Sequence, residues 1–320
     1  MNIGKIKAIV AIVVATILYG FEWFFVTKLD RMGMSAFAIT FGIVFFALIG
    51  LIIIARIKKI KLLPKDKNDL KNLIWLGLFY SVSAVLFFAA LAKGKVASVL
   101  LLNFLAPIWT VFLAKIFLGE KITRNKLFSL GLAVLGLLIA FNIFSNKSGW
   151  QANQFVIVNL FALLAGFFAA GKTIISSKTK HLSEYMRSYW MFLLSSLIML
   201  TINILYPSKF STDSWFLIIF YFLCLGIGIQ LISVLLIQYA FKCLEASVIG
   251  ILLLLEIATG VIIAWLIGGQ EQVPSVSMIL GGGLIILACI NLIMHKEADN
   301  DSKKDSIKDG TMDNFKNDIG

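Results

Sequence analysis

Long apolar runs, separated by short polar segments, fill most of this chain. A run of about 20 apolar residues can cross about 30 Å of hydrocarbon, because an α-helix rises about 1.5 Å per residue. The runs lack the alternating pattern of barrel strands, and in lipid every backbone polar group needs a partner within the protein. We therefore predict ten membrane helices, numbered span 1 to span 10, at residues 6–27, 34–54, 73–92, 96–118, 126–144, 155–177, 187–206, 214–240, 246–267 and 276–294.

The composition also indicates an all-α integral membrane protein. Hydrophobic residues make up 60% of the chain, charged residues 14%, and the mean hydropathy is +0.94, values that lie outside the range of ordinary soluble domains. A net charge of +12 would suggest nucleic-acid binding in a soluble protein. Here most Lys and Arg residues flank the apolar runs, so we interpret them as topology signals and expect no nucleic-acid partner.

The positions of Lys and Arg predict the orientation. They are concentrated in segments 56–71, 121–126, 178–187 and 296–316, which lie on the same side as the N-terminus if each run crosses the membrane once. Cytoplasmic loops carry such an excess, so we predict that both termini are cytoplasmic. Residues 296–320 are polar and mixed in charge, and we expect them to form a disordered cytoplasmic tail.

The chain contains an internal repeat at an offset of 150 residues. The segment from Ala89 to Thr123 aligns without a gap on the segment that starts at Tyr239, and Leu102 and Gly119 meet Leu252 and Gly269. The repeat divides the chain into residues 5–144 and 155–294, with five spans each. Because five is odd, the second copy enters the membrane from the opposite side, which predicts two inverted five-helix repeats, an arrangement found in secondary transporters.

The repeated segments carry motifs that resemble the EamA family of the drug/metabolite transporter superfamily. The motifs are Ala90-Leu91, Val96-Ala97-Ser98, Ala106-Pro107 and Leu118-Gly119-Glu120-Lys121 in the first copy, and Tyr239-Ala240, Glu245-Ala246-Ser247-Val248 and Leu255-Glu256 in the second. Two departures stand out: Gly269-Gln270-Glu271 replaces the usual Gly-Glu-Arg, and Ile257 replaces a common proline. The second departure suggests that span 9 is straighter than is usual in the family.

The resemblance implies a carrier in the inner or plasma membrane that works by alternating access and often exports amino acids or related metabolites. In similar proteins spans 1, 3, 4, 6, 8 and 9 line the central cavity, whereas spans 5 and 10 pack at the periphery, often in dimer contacts. The implied partners are thus a small-molecule substrate, the lipid bilayer and a second copy of the chain. Our expectation is a transporter of a small polar metabolite, an amino acid or similar zwitterion, directed outwards.

Three ionisable residues lie at mid-span depth, namely Glu22 in span 1, Lys172 in span 6 and Glu256 in span 9. A charge at the bilayer centre costs roughly 2.5 to 3.5 kcal/mol, so such a residue usually faces a cavity or a partner. Glu22 and Lys172 are equivalent in the repeat. They are expected either to line the cavity and contact a zwitterion, or to form a fixed ion pair. Glu256 is expected either to bind and release a proton during transport or to pack against a neighbouring helix.

Further polar and aromatic residues are candidates for substrate contact. Tyr80 aligns with Gln230 and Ser83 with Ser233, so spans 3 and 8 present polar groups at the same depth. The alternative for each is a contact between helices. An aromatic wall beside carboxylates suits an ammonium group through cation–π attraction. The complete predicted set is Tyr19, Glu22, Trp23, Tyr80, Ser83, Asn103, Lys172, Gln230, Ser233 and Glu256.

The sequence offers no motif for a cofactor or for enzyme chemistry. Gly166 to Thr173 matches the phosphate-binding pattern GxxxxGK[ST], but that pattern needs a strand, an aqueous loop and a helix, whereas here it lies inside an apolar run. The three cysteines show no metal-binding or disulfide spacing. We therefore expect no cofactor and no metal. The competing hypothesis is a non-transporting membrane protein of the same fold, either an enzyme on lipid substrates or an assembly factor.

Overall fold

The computed structural model describes residues 3–91, 96–141, 156–207, 215–268 and 275–294, which form helices joined by short turns. Nine helices in these ranges are long and apolar enough to cross a membrane, and they coincide with spans 1–4 and 6–10. The unbroken ones are Ile3–Arg31, Ala36–Ile57, Lys67–Leu91, Val156–Lys178, Glu184–Leu205 and Val276–Met294. The chain is therefore a multi-pass helical membrane protein.

Span 5 is present as a shorter helix, Arg124–Ala140, of 17 residues. The helix ends at Ala140 with Phe141 as its C-cap residue, and residues 142–144 of the predicted span lie outside the described residues. The predicted disordered tail, residues 296–320, lies outside them as well.

Side chains at the turns determine where several spans begin and end. Ser35, Thr123 and Ser183 precede spans 2, 5 and 7, and each accepts a hydrogen bond from a backbone N–H of the first turn. This satisfies donors that have no partner within the helix. Span 4 ends at Gly119, whose left-handed φ of 67° allows its N–H to reach the Ala114 carbonyl.

Spans 4 and 9 are both interrupted near their middle. Span 4 consists of helices Val96–Asn103 and Ala106–Leu118, and span 9 of helices Ala246–Leu252 and Leu255–Gly268. The expectation that Ile257 makes span 9 straighter is wrong. The reason is local: the Glu256 N–H binds the Leu253 carbonyl at 3.1 Å, a three-residue turn that breaks the helical ladder without a proline.

Span 8 changes its helical period at mid-depth. A π-helical segment, Leu223–Leu231, lies between the α-helices Trp215–Phe222 and Ile232–Ala240. A π turn holds more residues than an α turn, so it shifts which side chains share a face, and such segments are frequent at functional sites. Gln230 lies within this segment.

The main pairs of packed spans each have an equivalent pair at the 150-residue offset. Span 3 packs on span 6, and span 8 packs on span 1. Likewise span 4 packs on span 6, and span 9 on span 1. Spans 1 and 6, the equivalent first helices of the two copies, are therefore central.

Spans 5 and 10 contact each other through glycine. A Cβ on Gly136 would lie only 2.7 Å from the Gly281 carbonyl oxygen, so the two backbones approach closely. The Asn291 side chain donates to Ser129 Oγ at 2.9 Å across the same contact. Large apolar side chains on these spans, such as Phe128 and Leu287, are exposed at the protein surface, as is normal for a lipid-facing helix.

Candidate functional site

A cavity of about 250 Å³ lies between spans 1, 3, 6, 7, 8 and 9. Its wall is polar on several sides although the surrounding helices are apolar. The lining residues are Tyr19, Glu22, Tyr80, Lys172, Thr173, Ser176, Met191, Gln230, Val234, Ile237, Gln238, Phe241, Leu253 and Glu256. The cavity therefore brings together six of the ten residues predicted from sequence.

All three predicted mid-span charges face this cavity. Glu22, Lys172 and Glu256 come from three different spans and are each partly buried. Within the described residues none of them forms an ion pair at 4.0 Å or less. The Lys172 ammonium instead lies 5.5 Å from the centre of the Tyr80 ring, a cation–π distance. Two carboxyl groups and one amine are thus held around a shared space.

Tyr80 and Gln230, which the repeat makes equivalent, are hydrogen-bonded to each other. Gln230 Nε2 donates to Tyr80 Oη at 2.6 Å. The bond joins span 3 to the π-helical segment of span 8 and fixes both side chains in the wall. The Tyr80 ring also meets Phe192 of span 7 edge to face, with centroids 6.4 Å apart.

Ser83 and Ser233 form contacts between helices and do not line the cavity. Ser83 Oγ donates to the Ala165 carbonyl at 2.9 Å, and Ser233 Oγ donates to the Ala15 carbonyl at 3.3 Å. The two bonds are equivalent at the 150-residue offset. In span 8 the cavity face follows Gln230, Val234, Ile237 and Phe241, so Ser233 lies just beside it.

Trp23 and Asn103 also lie outside the cavity wall. The Trp23 indole N–H is buried and has no acceptor among the described residues, and its ring meets Phe24 edge to face at 6.2 Å. Asn103 is the last residue before the break in span 4, where its carbonyl packs closely on Gly166 of span 6.

Arg187 is a structural feature of the site that sequence reasoning missed. It is fully buried, its Nη1 donates to the Ser176 carbonyl at 2.9 Å, and its Nη2 donates to the Gln238 carbonyl at 2.6 Å. Both carbonyls belong to the last turns of their helices, which carry partial negative charge. One guanidinium therefore caps spans 6 and 8 together. In the sequence Arg187 resembles the Lys and Arg residues that flank the apolar runs. Only its place inside a run that begins at Glu184 distinguishes it from them.

The side chains of Ser176 and Gln238 are also joined, and sequence reasoning missed both. Gln238 Nε2 donates to Ser176 Oγ at 3.1 Å. Both polar residues lie inside apolar runs, which could have marked them as candidates. Their equivalents in the first copy, Val26 and Phe88, are apolar, so the repeat does not pair them with another polar residue.

A second polar cluster joins the two copies at the turn after span 4. Glu120 Oε1 accepts the Ala246 N–H at 2.7 Å, and Glu120 Oε2 accepts the Ser247 N–H at 3.2 Å and the Ser247 hydroxyl at 2.5 Å. Lys126 pairs with Glu120 at 3.7 Å and with Glu245 at 2.5 Å. A carboxylate of the first copy thus caps the N-terminus of span 9.

No group of three or more His, Cys, Asp or Glu side chains in the described residues is placed to hold a metal ion. The polar groups that line the cavity are carboxyl, amine, amide, hydroxyl and phenol groups, which bind polar ligands by charge and hydrogen bonding.

The EamA-like transporter family matches residues 6–142 and 156–294, which together form most of the chain and confirm the resemblance noted from the motifs. Two relatives, the pseudopaline exporters CntI of two strains of Pseudomonas aeruginosa (UCBPP-PA14 and PAO1), are each 24% identical over 260 residues, covering 80% of this chain and 86% of the relative. A protein of known crystal structure aligns with a TM-score of 0.76 and 16% identity over 89% of this chain and 95% of its own, which shows a shared fold.

Proposed function

The chain belongs to the EamA-like transporter family, and we propose on this basis that it is a secondary transporter that exports a small polar metabolite by alternating access. Family membership makes the protein a membrane transporter rather than an enzyme, which removes the alternative of an enzyme acting on lipid substrates. The substrate class, the direction and the mechanism are the parts that we propose.

The observation that carries the proposal is the set of charges around the cavity. Glu22 and Glu256 face the same space as Lys172, yet none of the three has an ion-pair partner within 4.0 Å in the described part of the chain. Charged groups at this depth are costly unless something pairs with them. A zwitterion supplies both partners, because its ammonium group matches the carboxylates and its carboxylate matches Lys172. We therefore assign an amino acid or similar zwitterion as the substrate.

The size and the aromatic residues of the cavity agree with such a ligand. A volume of about 250 Å³ equals roughly eight water molecules at about 30 Å³ each. Tyr19 and Tyr80 line it, and the Lys172 amine already lies over the Tyr80 ring. An ammonium group of the substrate can use the same ring faces.

Alternating access requires two halves that exchange roles, and the packing supports this. We propose that residues 5–144 and 155–294 are inverted five-helix repeats, with Arg124–Ala140 completing the set of ten spans. The support is that contacts between spans 3 and 6 correspond to those between spans 8 and 1 at the 150-residue offset. The paired bonds of Ser83 and Ser233 to neighbouring carbonyls obey the same offset.

The direction and the location follow from charge and kinship. The Lys- and Arg-rich segments favour cytoplasmic termini in the cell membrane, and the pseudopaline exporters, 24% identical, favour export. We also propose a homodimer through the exposed apolar faces of spans 5 and 10, which is the arrangement that the family resemblance implies.

Counterflow in proteoliposomes tests the proposal. The purified chain is reconstituted with each of the twenty unlabelled amino acids inside, and uptake of the same labelled compound is followed with and without a pH gradient. We expect accumulation of at least one amino acid by the wild type, and loss of it in Glu22→Gln. Asp30→Asn, an exposed acid near the end of the same helix, is the matched control and should transport normally. If no member of the panel shows counterflow, the assigned substrate class is wrong.

A further inference from the structure

A second cavity, of about 430 Å³, lies at the end of the molecule that the charge distribution assigns to the cytoplasm. It is formed by the start of span 1, the ends of spans 4 and 6, and the turn between spans 8 and 9. Four lysines line it, namely Lys5, Lys178, Lys180 and Lys242. We call it the lysine pocket.

The two carboxylates of the lysine pocket already have partners. Glu120 accepts the Ala246 and Ser247 N–H groups and pairs with Lys126 at 3.7 Å. Glu245 pairs with the same Lys126 at 2.5 Å. Lys126 and the positive N-terminal end of span 9 offset most of the charge of these two acids, so little of it remains to balance the lysines of the pocket.

In the part of the chain that the structure describes, three of the four lysines have no carboxylate within 4.0 Å. Lys242 pairs with Glu184, whereas the Lys178 amine lies 5.1 Å from the centre of the Phe117 ring. Like charges that share one concave space repel each other, and a bound anion relieves that repulsion.

The lysine pocket adjoins the central cavity. Ser176 lines the cavity and Ser177 lines the pocket, while Phe241 lines the cavity and Lys242 the pocket. The buried side chains of Phe241 and Leu244 lie between the two spaces.

We propose that the lysine pocket is a binding site for carboxylates, which receives the substrate from the cytoplasm before it enters the cavity. The inference rests on the transport function proposed above and extends it: the pocket captures a zwitterion with an additional carboxylate more readily than one without. A basic concave surface raises the local concentration of anions and speeds their capture. A plain topology signal needs the positive charges near the membrane but needs no concave site that gathers them.

Cys243 provides a reporter inside the lysine pocket. In the full chain with Cys224→Ser and Cys289→Ser, the rate of modification by N-ethylmaleimide, a neutral reagent, is measured in detergent. L-glutamate should slow the reaction, by about tenfold at ten times its dissociation constant. L-glutamine, the neutral isostere, should protect only at much higher concentration. Lys5→Gln combined with Lys180→Gln should weaken protection by glutamate about tenfold or more.

Lys115→Gln is the matched control, because Lys115 is an exposed lysine near the same end of span 4 that does not line the pocket. It should leave protection unchanged. Equal protection by glutamate and glutamine, or none by either, overturns the proposal. So does protection seen only in vesicles with 30% phosphatidylglycerol and absent in phosphatidylcholine, since the ligand would then be a lipid headgroup. A different outcome separates the two proposals: the wild type shows amino-acid counterflow, but glutamate does not protect Cys243. That result overturns the pocket proposal alone and leaves the transporter proposal standing.

Discussion

The strongest test of how the two copies are held together is removal of the Glu120 carboxylate. In the folded chain this group accepts three hydrogen bonds from Ala246 and Ser247 at the N-terminus of span 9. Its side chain is 11% exposed, so water does not replace these bonds readily. The first helix of span 9, Ala246–Leu252, is buried at every residue and begins with donors that need a partner.

The magnitude follows from these contacts. A hydrogen bond to a charged group contributes about 1.5 to 3 kcal/mol. Removing one partner of a buried charged pair costs about 3 to 5 kcal/mol, which is less than the sum of three such bonds. Bonds that share one carboxylate therefore do not add in full. We expect Glu120→Ala to lower the free energy of unfolding by about 3 to 5 kcal/mol. Glu120→Gln keeps one acceptor oxygen but loses the charge, so it should lower that free energy by about half as much.

The assay is unfolding in mixed detergent and dodecyl sulfate micelles, followed by tryptophan fluorescence. Ser247→Ala removes only the hydroxyl bond, and a double-mutant cycle with Glu120→Ala should give a coupling of about 0.5 to 3 kcal/mol. Asp30→Ala, an exposed acid at the end of span 1, is the control. A loss of less than about 0.5 kcal/mol for Glu120→Ala, typical of a surface substitution, would refute the reasoning.

Three further changes test other contacts. Arg187→Met leaves the Ser176 and Gln238 carbonyls without a buried donor and should lower the free energy of unfolding by about 2 to 5 kcal/mol. Arg187→Lys should recover part of this loss. Equal losses in the two variants would contradict the capping of spans 6 and 8 by one guanidinium. Gly136→Ala should cost about 1 to 3 kcal/mol by pushing spans 5 and 10 apart, whereas Gly131→Ala, with nothing within 4 Å of its added Cβ, should be neutral or stabilising. Tyr80→Phe leaves the Gln230 amide without its acceptor and should raise the KM for counterflow more than it lowers the maximal rate; an unchanged KM would place the pair outside the binding step.

The positions of the spans were predictable because the membrane leaves few alternatives. A helix that crosses hydrocarbon needs a long apolar run, and the runs were visible in the sequence before any contact was known. What apolarity could not predict was the continuity of each helix. The break at Leu253 contains a backbone turn that no proline announces. The π-helical segment of span 8 contains Gly226, which packs closely on Ile43 and Phe46 of span 2, and no residue type in the sequence announces this change of period.

The charged members of the candidate site were predictable from cost alone. Glu22, Lys172 and Glu256 lie where an ionisable side chain is expensive, so each needed a cavity or a partner, and the structure places all three around one cavity. Burying a hydroxyl group in the membrane costs less than burying a charge, because the hydroxyl can donate to a nearby carbonyl, as those of Ser83 and Ser233 do. The position of a serine on a helical face therefore could not distinguish a packing role from a binding role. In span 8 the π-helical segment ends two residues before Ser233, which lies beside the cavity face.

Arg187 and Glu120 show a different limit, because each binds two backbone groups. Arg187 binds two carbonyls and Glu120 binds two N–H groups, and a backbone group leaves no trace in the choice of residue type. Sequence reasoning pairs charges with opposite charges. It therefore has no means to find a charge whose partner is the end of a helix.

One pair of packing residues is the same in both copies, whereas several cavity residues differ. Ser83 and Ser233 are identical and make equivalent bonds, because each joins a span of one copy to the first helix of the other copy. The equivalents of Lys172, Gln238 and Glu256 in the first copy are Glu22, Phe88 and Ala106, so charge and polarity differ at each of these places. A small zwitterion has one positive and one negative end, and a site built from identical halves would present the same group to both. An asymmetric ligand therefore favours an asymmetric wall, and within this repeat a cavity position whose equivalent differs in charge is the better indicator of a binding role.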